Sequence, residues 1–299
     1  MRTRTMMRTR TMTWAAALCL ALLAAGCQSE EEAGRRTACF TSAAPTHRSP
    51  MHRTAMNQYG TFYWTQGDYI FVKNGTTYVR SNNAASGLQP AENFYLDGVF
   101  EDQHYDVLYT GNGSNRTPNS VTIRAQQTQA LPNDASHIGA DGDCGKARAT
   151  HNGTGVYTFQ LDHLASYLNI MPQKEHDDGG TMVLTSITVQ TSGADNLCGT
   201  YTFGENTLNL RDEDNSAPGK QVELTVGSFE VPLKDDVDNG RATLDQARAF
   251  VVIQPGMHTL TITYTDSQGN SYAKNVPQHE FLPGHFTNVR HKLGTPSAP

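Results

Sequence analysis

From residue 57 onward the chain alternates apolar and polar residues in short runs. These runs are rich in Tyr, Phe, Val, Ile and Thr and are broken by Gly, Asn and Asp. A period of two places alternate side chains on one face of a strand. The pattern predicts strands at 61–64, 69–73 and 76–80, with Asn74-Gly75 as a type I′ hairpin signal. More strands are expected at 94–100, 105–110, 121–125, 155–161 and 164–170. The strongest alternation lies at 181–190, through Val183, Thr185, Ile187 and Val189. The series continues at 199–203, 207–210, 221–226, 230–233, 249–253, 258–264, 271–276 and 285–293. One helical window, 244–248, is about a turn long and reads as loop. About fifteen short strands without amphipathic helices between them predict an all-β chain of two β-sandwiches.

The first 56 residues lack this texture. Residues 1–12 are a duplicated hexapeptide with four Arg and no acid, which leaves Met7 or Met12 as alternative starts. An apolar run over 14–25 is too short to cross a bilayer but suits the core of a signal peptide. It ends in Leu23-Ala24-Ala25-Gly26-Cys27, which resembles a bacterial lipobox. There the Cys27 thiol would take a diacylglycerol and residues 1–26 would be removed. The alternative is an ordinary secretory cleavage site beside a chance Cys. Residues 27–56, rich in Glu, Ala, Thr, Ser, Arg and His with Pro45 and Pro50, read as a lipidated flexible tether. Residues 131–152 are mostly small and polar, which places a domain boundary near 152. The expected organisation is therefore domains at 57–152 and 153–294 and a tail at 295–299.

Composition narrows the function. Charged residues make up 17% of the 299 residues, too few for a coiled coil, while 12 Tyr and 11 Phe provide a core. Loss of 1–26 removes four Arg and no acid. It leaves 19 basic against 29 acidic residues, a formal charge of −10 instead of −6. With no basic stripe, nucleic acid is not an expected partner. No GxSxG, GxxxxGK[ST], GxGxxG or HExxH motif occurs, so neither an enzyme nor a cofactor is expected. Glycosidase carboxylates need no short motif, and nothing marks such a pair.

Several segments together resemble the fimbrillin-like (Mfa-like) surface lipoproteins of Bacteroidota, related to type V pilus subunits and accessory proteins. They are the aromatic Trp-x-x-Gly-Asp opening over 62–72, Tyr105-Asp106-Val107-Leu108-Tyr109, and the 157–165 strand containing His163. Pro255-Gly256, Asp266-x-x-Gly269, Tyr272 and Phe281-Leu282-Pro283-Gly284 complete the set, and the likeness spans nearly all of 60–293. The acidic Glu30-Glu31-Glu32 is similar to the surface-export signal of these lipoproteins, and also reads as a solvated tether. The resemblance implies two tandem transthyretin-like β-sandwich domains and a structural or adhesive role as pilus anchor, tip or accessory subunit. It implies assembly by an added β-strand, with pilin subunits or host or bacterial surface ligands as partners and the outer membrane reached through the lipid. It also implies cutting of the N-terminal segment by an Arg-specific protease, for which Arg35, Arg36, Arg48 and Arg53 are the candidates. Arg is also common in tethers without any such role. The tail, with Pro296 and Pro299, makes a poor donor strand. A glycan-binding surface lipoprotein of a polysaccharide-uptake system is the alternative, with Trp64 and Tyr95 as aromatics that could stack on sugars, although buried core aromatics are commoner in such strands.

Remaining candidates are weaker. Cys144 and Cys198 both precede Gly in turn-like contexts and form a candidate disulfide, with free or buried thiols as the alternative. No Cys/His spacing suggests zinc, and the acidic runs at 141–143, 212–215 and 235–239 lack a calcium-loop pattern and read as solvated charge. His163 is expected to be a hydrogen-bonded structural residue. If Cys27 carries the lipid, Cys27→Ala abolishes palmitate labelling and moves the protein out of the membrane fraction. Retention of both would end the lipoprotein reading.

Overall fold

The computed structural model describes residues 36–43, 55–56, 62–112, 116–210 and 219–297. In chain order the strands are β1 (Thr37–Ser42), β2 (Ala55–Met56), β3 (Phe62–Tyr63), β4 (Phe71–Asn74), β5 (Thr77–Arg80), β6 (Asn93–Asp97) and β7 (His104–Tyr109). Next come β8 (Val121–Ile123), β9 (Gln126–Gln129), β10 (Gly145–His151), β11 (Val156–Phe159), β12 (Asp162–His163), β13 (Ser166–Lys174) and β14 (Val183–Thr191). The last seven are β15 (Gly199–Phe203), β16 (Leu208–Leu210), β17 (Gln221–Glu230), β18 (Ala249–Ile253), β19 (Gly256–Asp266), β20 (Ser271–Phe281) and β21 (Phe286–Leu293). Two short helices, α1 (Ile138–Asp141) and α2 (Lys234–Asp238), and a 3₁₀ turn at Leu244–Ala247 complete the elements. The chain is all-β, as the alternation predicts. Among the described residues no helix is long and apolar enough to cross a membrane.

Local chemistry sets the details. In the β4–β5 hairpin Asn74 pairs with Thr77, so the turn centres on Gly75 and Thr76, one residue later than expected. Gly75 alone has positive φ, at 62°, which suits a type II′ turn instead of I′. The strand expected at 221–226 runs on to Glu230 as β17, with a bulge opposite Leu184 and Ser186, and of the strand expected at 230–233 only Glu230 belongs to it. Ser228 adopts a φ of 64° there, and the buried positions change phase after Val226. Gly227 has no room for a side chain, because a Cβ would lie 2.0 Å from the Ala130 carbonyl oxygen.

The strands form one large sheet in the order β5-β4-β7-β10-β11-β1-β6, with β12 paired to β10. Two further sheets run β18-β13-β21 and β20-β19-β14-β17-β9, and a small one runs β16-β15-β8. Two hydrophobic clusters result. One contains Phe40, Trp64, Phe94, Tyr109, Tyr157 and Leu161. The larger contains Val121, Ile123, Tyr167, Ile187, Phe250 and Tyr264.

The expected boundary at 152 does not match this packing. β10, β11 and β12 belong to the first sheet, whereas β8 and β9 pair with β15 and β17 of the later part. The stretch 131–152 was legible only as small and polar. β10 is a central strand whose buried positions are Gly145 and Ala149, too small to give a hydrophobic signal. The tether reading of 27–56 also fails over 37–42, where β1 lies between two other strands. The strand β2 falls in the same stretch and pairs with β3.

β9 shows how a polar strand can be structural. Its Gln127 and Gln129 are buried against the free edge of β18. Gln127 accepts from the Val252 amide at 3.0 Å and donates to the Val252 carbonyl at 2.8 Å. Gln129 accepts from the Phe250 amide at 2.8 Å and donates to the Arg248 carbonyl at 3.0 Å. Two side-chain amides thus do the work of a neighbouring strand. Gln127→Leu keeps the volume but leaves these groups unpaired. It is expected to lower stability by about 1–3 kcal/mol, read as a lower urea midpoint at unchanged slope. An unchanged midpoint would mean that the Gln127 bonds contribute nothing.

Candidate strand-acceptor groove

β1 occupies a groove built by segments far away in sequence. It runs antiparallel to β6, from Thr37 opposite Asp97 to Thr41 opposite Asn93. On its other side it runs parallel to β11, from Cys39 opposite Val156 to Ser42 opposite Phe159. Its ends are tied as well. The Gly98 amide donates to the Arg36 carbonyl at 2.9 Å, Ser42 to Glu92 at 3.0 Å and Ala43 to Phe159 at 2.7 Å.

Alternate residues of β1 point to opposite faces. Ala38, Phe40 and Ser42 share one face. Phe40 is fully buried and stacks on Tyr157 with centroids 4.6 Å apart. The edges of Phe100 and Tyr105 close round it at 5.3 and 6.1 Å. The Tyr157 hydroxyl donates toward the carbonyls of Phe100 (3.0 Å) and Asp102 (3.1 Å). Burial, then the neighbouring Tyr105 and Asp102, push its pKa up to about 12, so it remains a donor. The Tyr105 hydroxyl accepts from the amides of Glu101 and Asp102 at 2.9 and 3.0 Å. These bonds fix the turn that walls the Phe40 site.

Ser42 is the polar end of the groove. Its hydroxyl accepts from the Trp64 indole N–H at 2.7 Å and from the Glu92 amide at 2.9 Å. Trp64 is fully buried, packed edge-on to Phe94 and Tyr109. It is therefore a core residue and offers no face to a sugar. Tyr95, the other candidate stacking aromatic, is half-buried in β6 opposite Cys39. On the outer face, Thr41 donates to the Asn93 side chain at 2.8 Å.

Of the processing candidates, Arg36 is exposed directly before β1, with its guanidinium 3.5 Å from the equally exposed Glu101 carboxylate. Cys27, Arg35, Arg48 and Arg53 lie outside the described residues, as does 212–215. The candidate Cys144–Cys198 bridge is absent: both thiols are free and buried. Each is satisfied where it lies, Cys198 donating to the Gln221 carbonyl at 3.2 Å.

His163 is a buried structural residue, as expected. Its Nδ1 lies 2.7 Å from the Asp143 carboxylate, and its ring stacks on Phe62 at 4.1 Å. The Tyr167 hydroxyl donates to the same carboxylate oxygen. Burial and then Asp143 raise the Tyr167 pKa well above its ordinary value. Asp141 and Asp143 are thus buried and bonded, not solvated as the sequence suggested. Asp141 takes His137 at 2.9 Å. The run at 235–239 forms α2 and its end, with Asp236 2.8 Å from Arg241 and Asp238 paired to Lys234. Burial lowers the pKa of His258, and burial with the nearby Lys274 lowers that of His291 to about 4, which leaves both neutral at pH 7. No metal-ligating group of His, Cys, Asp or Glu forms among the described residues.

The residues that matter most here, Phe40 and Ser42, escaped the sequence reading. Their signal is the β-prone run Thr37-Ala38-Cys39-Phe40-Thr41-Ser42, hidden between Arg, Glu and Pro.

Fold and groove together define an all-β protein whose first strand completes a sheet made by later segments. No protein-family model matches the chain, and no curated protein does. Among solved structures, a candidate cell adhesion protein from Bacteroides uniformis is 12% identical with a TM-score of 0.48, covering 88% of this chain and 94% of its own. One from Bacteroides ovatus is 13% identical with a TM-score of 0.46, covering 77% and 84%. A fimbrial assembly protein from Parabacteroides distasonis is 11% identical with a TM-score of 0.37, covering 85% and 90%.

Burial raises the pKa of Cys144 and pushes that of Cys198 up to about 11. Only thiolates react readily with maleimides. Both thiols should therefore be inert in the native protein near pH 8 and label on unfolding. Prompt labelling of either Cys144 or Cys198 in the native state would contradict their burial.

Proposed function

We propose that the chain is a non-enzymatic, surface-exposed lipoprotein of the fimbrillin-like kind. Its role is structural or adhesive, as a pilus anchor, tip or accessory subunit, and it joins its partner by β-strand complementation. The observation that carries this reading is the position of β1. It is a six-residue strand near the start of the chain, placed between β6 and β11, which come from 93–97 and 156–159. Without β1, both neighbours would present unpaired edges beside an aromatic pocket. An added strand supplies backbone hydrogen bonds for affinity and alternate side chains for register.

The sequence positions of the Arg residues give the groove a trigger. Arg48 and Arg53 lie between β1 and β3. A cut after either leaves β1 held only by non-covalent contacts, whereas a cut after Arg35 or Arg36 leaves β1 joined to the body. Cys27 lies on the β1 side of Arg48 and Arg53. Strand removal would therefore also part the body from its lipid anchor, so the uncut form serves as the membrane-bound one. The groove offers backbone pairing and shape, and it contains no nucleophile–base pair.

An Arg48→Ala/Arg53→Ala variant tests this. Surface fractions of the parent should show cleavage between β1 and β3 and a boiling-sensitive high-mass species. The double variant should stay uncut, membrane-bound and monomeric. A double variant that assembles like its parent would rule out strand release by cleavage at these sites.

A further inference from the structure

We infer that the groove filled by β1 selects its occupant through two side chains, an aromatic followed two residues later by Ser or Thr. This rests on the strand-complementation reading and names the chemistry of the partner: an extended segment of another protein with an aromatic–x–Ser/Thr pattern.

The aromatic requirement comes from the Phe40 site. Tyr157 supplies a parallel ring face at 4.6 Å, while Phe100 and Tyr105 supply edges. The walls are fixed by the Tyr157 and Tyr105 hydroxyl bonds to the 100–102 backbone. A pocket held in that way does not collapse around a smaller side chain, so an aliphatic or alanine occupant leaves a void. A flat ring gains both stacking and edge contacts.

The hydroxyl requirement comes from the Ser42 site. Two donors converge on one oxygen, the Trp64 indole N–H and the Glu92 amide. A hydroxyl oxygen has two acceptor lone pairs and so satisfies both. Trp64 is fully buried and its indole can only donate, so an alanine or valine here strands a donor out of reach of water. A carboxylate would accept both bonds but would place a charge in the core.

Spacing and direction follow from the ladder. Residues two apart share a face, so the hydroxyl must follow the aromatic by two. The occupant must run antiparallel to β6 and parallel to β11, because the aromatic site lies nearer the Asp97 end of β6 and the hydroxyl site beyond Asn93. The opposite face, at Thr37 and Thr41, is only half-buried and leaves those positions loosely specified. Residues 294–297 of this chain do not fit. They contain no aromatic, and Ser297 is already engaged, donating to the Ser271 carbonyl and accepting from the Ala273 amide at 2.9 Å.

The test uses the full chain with a specific protease site placed within 44–50, nicked after purification. Fluorescent peptides spanning 36–43, all with Cys39→Ser, are followed by anisotropy as they replace β1. The native-pattern peptide and its Ser42→Thr form are expected to enter. The Phe40→Ala and Ser42→Ala forms are each expected to bind at least about tenfold more weakly. Equal binding by either alanine peptide would overturn the side-chain code and leave strand exchange standing. Failure of the native-pattern peptide to enter would overturn strand exchange itself, and the code with it.

Discussion

The first sheet closes on Phe40. Its ring lies at the centre of an aromatic group from β7, β11 and the turn after β6, and its backbone joins β6 to β11. In the sheet ladder β6 is paired, among the described residues, to β1 and to no other strand. The segment from 93 to 97 is thus held in the sheet through β1. On its other side it meets isolated bonds from Asn82 and Asn83, such as Asn82 to the Tyr95 carbonyl at 2.7 Å. A six-residue strand of modest hydrophobicity therefore holds an edge strand in the sheet and fills the centre of an aromatic cluster.

The two cores are not separated along the chain as two beads would be. Residues 121–144 leave the first sheet to pack with the second cluster through Val121, Ile123 and Ile138, and the chain then returns as β10 to pair with β7. The crossing point is marked by Asp143, buried where its carboxylate takes His163 from β12 and Tyr167 from β13. A buried carboxylate is tolerable only with such partners, and removing one of them would leave an uncompensated charge. This cluster ties the end of the first sheet to the start of the second.

How much of this was legible follows from residue size. β14, β15, β18 and β19 were readable because Val, Ile, Leu, Phe and Tyr mark their inner faces. β15 and β18 even keep the limits that the pattern gave, at 199–203 and 249–253. β10 and β9 were unreadable for opposite reasons. The first buries Gly145 and Ala149, which barely register as hydrophobic, and the second buries Gln127 and Gln129, which register as exposed. Trp64 could be read as a binding or a core aromatic, because periodicity tells which residues share a face but not whether that face meets solvent. β1 was hidden by its neighbours: one Phe and one Cys among Thr, Ala and Ser, inside a stretch with the composition of a linker. Its function as a strand depends on partners at 93–97 and 156–159, and no local window contains them.

That dependence bears on how such a strand could be exchanged. An empty groove would expose the Phe40 pocket, the Trp64 indole N–H and two unpaired strand edges, the features that drive edge-to-edge aggregation. Complete loss of β1 before a replacement arrives is therefore the costly route. A stepwise route is cheaper, because each ladder bond broken to β1 is remade to the incoming strand and only a short stretch is unpaired at any moment. In such an exchange the backbone terms nearly cancel, as one strand's hydrogen bonds replace another's. What remains to set the direction is the side chains on the inner face and the length of the incoming strand beyond six residues. The inner face offers only the Phe40 and Ser42 sites as deep positions. In such an exchange, discrimination among partners would be concentrated in two side chains, while the ladder would supply affinity to any extended segment that satisfies them.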